Sequence, residues 1–106
     1  MSSLAVERND ARSRYEGRHD GELVSLVDYV LRGDTMIVIH TGTEHRWRGR
    51  GYAAQVTQAA LDDARTRGLQ VVARCPFIAA YIRRHREYRD LLLRTKLGGS
   101  GGEPAE

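Results

Sequence analysis

The chain is short of several things, and each shortage excludes something. Cysteine occurs once in 106 residues, at Cys75, so no disulfide can form within the chain and a reducing compartment is expected. Proline occurs twice, and tryptophan and phenylalanine once each. Lysine occurs only at Lys96, so arginine carries nearly all the positive charge. No apolar run approaches membrane-spanning length, and no N-terminal apolar segment resembles a signal peptide. The four histidines (His19, His40, His45, His85) and Cys75 lack metal-ligand spacing, so no metal site is expected. These features lead to the expectation of a soluble, cytoplasmic protein with no membrane partner. With 106 residues the chain makes one small domain with a modest core. Its net charge of +3 favours anionic partners.

What is present concentrates in Arg46-Trp47-Arg48-Gly49-Arg50-Gly51-Tyr52-Ala53. This stretch follows the β-branched run Thr35 to Thr41 and opens a helical run that lasts to Gly68. A glycine-rich turn between strand and helix offers backbone N–H groups at the positive end of the helix dipole, a site for phosphate. The three arginines, Arg46, Arg48 and Arg50, add charge. The turn lacks the Gly-x-x-x-x-Gly-Lys-Ser/Thr pattern of nucleotide-hydrolysing loops. It also lacks Gly-x-Gly-x-x-Gly, and Gln70 to Arg74 has no acidic residue to hold a ribose. What remains is Arg-x-x-Gly-x-Gly over residues 46–51.

Periodicity supplies the frame. Leu4 to Glu7 and Arg12 to Tyr15 are predicted as short strands around an Asn9-Asp10 turn. Glu22 to Leu31 and Thr35 to Thr41 extend the meander through turns at His19-Asp20-Gly21 and Arg32-Gly33-Asp34. Strict alternation puts Met36, Val38 and His40 on one face of the last strand and Ile37, Ile39 and Thr41 on the other. Ala53, Val56, Thr57, Ala60, Leu61 and Ala64 recur at helical spacing, with Gly68 as the stop. Val71 to Ala73 is a buried strand, parallel to Thr35–Thr41 if the helix is its crossover. Pro76 suits the first position of a second helix, with Phe77, Ile78, Tyr81, Ile82 and His85 on its broad face. Tyr88, Leu91 and Leu92 mark a last turn. The fold class is therefore α+β, an α/β sandwich: a mixed, mostly antiparallel sheet with one βαβ unit and a C-terminal helix. The domain spans residues 1–95, and the Gly/Ser/Pro-rich segment 96–106 is expected to be a disordered tail.

Cys75-Pro76 ends a strand and precedes a helix, where the dipole favours a thiolate and Arg74 adds positive charge. The same position also suits a small buried hydrophobe. The crossover brings Cys75 and the glycine turn to one sheet edge, the carboxyl end of the parallel strands.

His40-Thr41-Gly42-Thr43, Arg46-x-x-Gly49-x-Gly51 and Cys75-Pro76-Phe77-Ile78-x-x-Tyr81-Ile82-x-x-His85-x-Glu87-Tyr88, in that order, resemble the GCN5-related N-acetyltransferases. The resemblance is closest to a small group with a short chain and a Cys-Pro-Phe signature, and it covers about residues 4–93. It implies binding of acetyl-CoA or coenzyme A, and transfer of acetyl to a primary amine on a protein or small molecule. The pyrophosphate would sit on the turn from Trp47 to Tyr52, with Gly49 and Gly51 central and Arg46, Arg48 or Arg50 in reach. The pantetheine arm would run between splayed strands, at Ile39 to Thr41 and Val71 to Arg74. The resemblance makes Cys75 and His40 active-site residues, with Tyr81 in the place of an acid beside the sulfur. Cys75 could be a nucleophile or a neighbour of the thioester; the His40 imidazole is the candidate base. Two departures stand out: a valine-like residue is missing near Glu44-His45, and Arg86 replaces a proline, which should let Phe77 to Leu93 run as a more continuous helix. The chain leaves no room for helices between its first two strands, so the acceptor side should be open. A monomer or weak dimer is expected. Two other functions compete. One is an acyl-CoA binding or sensing module without turnover. The other, a small basic nucleic-acid-binding domain, is disfavoured by scarce lysine, few stacking aromatics and the lack of a nucleic-acid motif.

Overall fold

A computed structural model describes residues 4–93; the expected tail at 96–106 lies outside them. Five strands form one sheet in sequence order: β1 (Ala5–Asn9), β2 (Arg14–His19), β3 (Glu22–Arg32), β4 (Thr35–Thr43) and β5 (Gln70–Ala73). The first four pair antiparallel and β5 joins β4 parallel, through the crossover helix α1 (Tyr52–Thr66). Helix α2 (Pro76–Arg84) follows β5, and short 3-10 turns occupy Asp10–Arg12, His45–Trp47 and Arg86–Leu91. The expected mixed sheet with a βαβ unit is what forms.

One apolar cluster joins the helices to one face of the sheet. Tyr15, Val27, Tyr29, Met36 and Val38 supply the sheet side; Val56, Ala60, Leu61, Ala64, Ile78 and Ile82 supply the helix side. The small α1 residues let the helix lie close. Strand β2 runs to His19, past the expected end at Tyr15. Its Gly17 has a packing reason: a Cβ there would come within 2.6 Å of Leu4 and 2.7 Å of Val56. Asp63 of α1 clamps the sheet, accepting from the Tyr15 hydroxyl at 2.6 Å and from Arg8 at 2.7 Å.

The opposite face carries no helix among the described residues. Cross-strand pairing places Arg14, Asp28 and His40 there in one row, and Glu16, Leu26 and Gly42 in the next. Glu16 is buried, and accepts from Arg14 at 2.7 Å, Arg18 at 2.9 Å and Asn9 at 3.1 Å.

Two expectations are corrected. The helix after Pro76 is not continuous to Leu93. It stops at Arg84, and His85 (φ −116°, ψ 83°) turns the chain into the 3-10 segment. That segment is held to α1 from outside: the Tyr88 hydroxyl donates to Asp62 at 2.7 Å, and Arg65 grips Asp90 at 2.8 and 3.0 Å. Strict alternation along β4 also fails. The register steps from Tyr29↔Val38 to Asp28↔His40, leaving Ile39 as an extra residue. This bulge sends His40 to the open face and turns Thr41, paired with the core residue Val27, toward the helices.

Candidate active site

The same bulge marks where β4 leaves β5. Their last pair is Val38↔Ala73, closed by the Arg74 N–H donating to the Val38 carbonyl at 2.9 Å. Above Val38, the strand from Ile39 to Thr43 is paired with β3 alone among the described residues. A groove of about 810 Å³ opens beside it. That size is typical of a ligand site. Thr41, Gly42 and Thr43 form one wall, the turn from Trp47 to Tyr52 the top, and the facing sides of α1 and α2 the rest.

The turn presents backbone donors to open space. Gly49 (φ +81°) and Gly51 (φ +79°) both adopt the left-handed conformation, and nothing lies within 4 Å of a Cβ at either place. The first helical bond of α1 is from Gln55 to the Gly51 carbonyl at 3.1 Å. The six backbone N–H groups from Gly49 to Ala54 therefore have no backbone acceptor among the described residues. Gly51, the N-cap, supplies no side-chain cap. These donors and that open space fit a pyrophosphate.

Trp47 anchors the turn. Its ring lies 4.8 Å from His19 and 5.9 Å from Tyr52. The Arg46 and Arg50 guanidinium carbons lie 5.2 and 5.1 Å from its centroid. Arg46 also makes a two-pronged bond to Glu22, both contacts at 3.0 Å. These two arginines hold the turn in shape and do not line the groove. Arg48 does line it, with Nε donating to the Thr43 carbonyl at 3.4 Å and its outer nitrogens without a partner among the described residues. Trp47 Nε1 is buried without a partner among the described residues.

The other expected residues divide between two sides. Tyr81 lines the groove and stacks on His85, with centroids 3.9 Å apart. Burial, with Glu87 and Asp62 nearby, raises the Tyr81 pKa, so its phenol keeps its proton. Cys75 is the N-cap of α2, only 7% exposed, with Sγ 3.7 Å from the Thr41 hydroxyl. It sits beneath the groove wall and not in the lining. His40 is exposed on the open face, across the sheet from Cys75 and Tyr81. Ile39 is the exposed bulge residue, and Arg74 contributes its backbone to the end of the ladder.

A model of the family described as GCN5-related N-acetyl-transferase matches residues 14–91. The chain belongs to this family. Its members are acetyltransferases, and the splayed strand and glycine turn lie inside the matched region. No individual curated protein sequence matches the chain. Among solved structures, it is similar to the solution structure of a GCN5-like protein from Staphylococcus aureus. That match has a TM-score of 0.67 and 19% identity, covering 93% of this chain and 97% of the other. It is also similar to the ribosomal-protein-alanine N-acetyltransferase of Brucella melitensis biovar Abortus 2308. There the TM-score is 0.51 at 20% identity, covering 82% of this chain and 67% of that one. At these identities both likenesses concern the fold. No helix among the described residues is long and apolar enough to cross a membrane.

Sequence reasoning missed much of the lower groove: Gln55 and Gln58 on α1, and Phe77, Ala80, Arg84 and His85 on α2. The signal was helical spacing. Phe77 and Arg84 share a face of α2 with the expected acid, Tyr81, but Arg84 reads as a solvated cation.

Proposed function

We propose that the protein transfers the acetyl group of acetyl-CoA to a primary amine. The observation that carries this reading is the run of free N–H groups from Gly49 to Ala54, opening onto a groove walled by the unpaired part of β4. The turn would hold the pyrophosphate, with Arg48 adding charge and Trp47 and Tyr52 shaping the wall. The backbone of Ile39 to Thr41 would pair with the pantetheine amides, as a strand would, in the gap that closes at Arg74.

Bound acetyl-CoA supplies an activated thioester carbonyl, which the amine nitrogen attacks to form the amide and release the thiol. The Tyr81 phenol, kept protonated by burial, donates to the departing sulfur. His40, on the open face, takes the proton of an amine arriving from that side. Cys75 is buried, and its hydrogen-bond partner among the described residues is Thr41, not a base. A cysteine nucleophile needs such a base, so direct transfer is the better reading, with Cys75 a neighbour of the thioester. The Cys75-Pro76-Phe77 start of α2 supports placement in the small short-chain group of the family. A lone thiol and a CoA substrate fit the cytoplasm.

One feature keeps a second reading in view: the helix-free face leaves the acceptor uncovered, as in a CoA-binding module without turnover. A thiol-release assay separates the two. Acetyl-CoA would be incubated with the protein and a panel of amines, including N-terminal peptides and lysine peptides. Release above background, reduced in His40→Ala and Tyr81→Phe while CoA still binds, supports transfer. CoA binding without release for any amine supports the module.

A further inference from the structure

The helix-free face holds a carboxylate that the fold does not use. Among the described carboxylates, only Glu16, Asp28 and Asp63 are not exposed. Glu16 is satisfied by Asn9, Arg14 and Arg18, and Asp63 by Arg8, Tyr15 and Arg67. Asp28 is half-buried and forms no ion pair among the described residues. A carboxylate withdrawn from water is costly without donors, so water or a ligand must supply them.

Its neighbours leave it open. Arg14, Asp28 and His40 follow one another across the strands on this face. Arg14 turns along its own strand, with Nε donating to Glu16 at 2.7 Å. Arg18 is paired with Glu16 as well. His40 leans along β4, with Nε2 3.2 Å from where a Cβ of Gly42 would stand. It makes no ion pair with Asp28, so the carboxylate is not there to hold the imidazole. Asp28 lies on β3, while the gap where β5 departs lies along the other edge of β4. At about 4.8 Å per strand, Asp28 stands about 7 Å from the middle of that gap. That is too far to hold the nitrogen that attacks the thioester, and it suits a second charge on the same acceptor.

Resting on the acetyl-transfer reading above, we infer that Asp28 binds a second cationic group of the acceptor. The substrate class is then a dication, with a second ammonium about 7 Å from the reacting nitrogen, as in a linear diamine of about four or five carbons. The near end passes His40 into the gap, and the far ammonium donates to the Asp28 carboxylate. Only the near nitrogen is acetylated; the far one keeps its charge and its bond to Asp28.

The test is thiol release from acetyl-CoA with diaminobutane and with aminobutanol, which puts a hydroxyl in place of the far ammonium. Wild type should favour the diamine in kcat/KM by about fivefold to tenfold, beyond the statistical advantage of about twofold for two amines. Asp28→Asn should bring the ratio down to the statistical value by raising KM for the diamine, and Asp28→Glu should keep most of the preference. KM for acetyl-CoA should be the same in all three proteins, which shows the groove to be folded. Added salt should shrink the preference in wild type, a check that needs no variant. Equal use of both amines by wild type, or a preference insensitive to salt, overturns the second-cation site and leaves acetyl transfer standing. A preference undiminished in Asp28→Asn overturns the assignment to that residue. No thiol release with any amine overturns the transfer reading, and this site with it.

Discussion

The two halves of β4 have the same kind of sequence and opposite surroundings. From Thr35 to Val38 the strand is paired on both edges, and Met36 and Val38 are sealed in the core. From Ile39 to Thr43 it is paired on one edge only, and its helix-side face borders a groove. One extra residue, Ile39, separates these conditions. The lower half converts β-branched and apolar side chains into stability. The upper half leaves backbone and hydroxyl groups available, and every chemical candidate gathers around it. Stability and function are thus separable along a single strand.

The largest expected effect breaks the lower half. Met36 is fully buried. Met36→Ala should cost about 3 kcal/mol of unfolding free energy in denaturant titration. The affinity of the remaining folded protein for CoA should change less than twofold. Next comes the turn. Gly51→Ala places a side chain at φ +79° in the space proposed for pyrophosphate. Affinity for CoA should fall about 30-fold by calorimetry. Gly21 (φ +83°) has the same backbone and the same open surroundings but does not line the groove. Gly21→Ala should therefore show the strain of about 1–2 kcal/mol in stability with no loss of affinity.

Most of the frame is legible in the sequence because it rests on patterns that repeat. Alternating apolar residues mark the strands, the small-residue stripe from Val56 to Ala64 marks α1, and Pro76 marks the start of α2. The glycine turn is legible as a turn because glycine suits the positive φ that Gly49 and Gly51 adopt at the strand-to-helix junction. The bulge at Ile39 is not legible: it inserts one residue into a β-branched run and leaves no compositional trace. Without it, alternation places His40 with Val38, on the wrong face. Gly17 hides the length of β2 because its role is a close approach by Leu4 and Val56, residues distant in sequence. The helix stop at Arg84 depends on tethers to Asp62 and Arg65, again distant. Arg84 and His85 join the site only because α2 packs beside α1.

Two charged networks, around Glu16 on the helix-free face and around Asp63 of α1, give a smaller effect of another kind. The Arg14 hydrogen bond, helped by Arg18 and Asn9, lowers the Glu16 pKa against the opposing effect of burial. For Asp63, burial opposes ionisation, but bonds from Tyr15 and Arg8 outweigh it and the pKa is again lowered. Folded values below unfolded ones mean that this stabilisation is complete above the unfolded values of about 4 and is lost as pH falls through the folded values. Circular dichroism should show stability constant from pH 7 to about 5 and then declining. Glu16→Gln should lower stability at pH 7 by about 2 kcal/mol and flatten the decline. The smallest effect falls on the upper site: Tyr81→Phe should reduce kcat about tenfold with KM unchanged, and alter stability by less than about 0.5 kcal/mol.

The most direct measurement is an amide NMR titration of the labelled protein with acetyl-CoA. The account predicts shifts concentrated on Gly49 to Ala54 and on Ile39 to Thr43, with Thr35 to Val38 unmoved. Shifts centred on the lower half of β4, or no shifts at millimolar ligand, would contradict it.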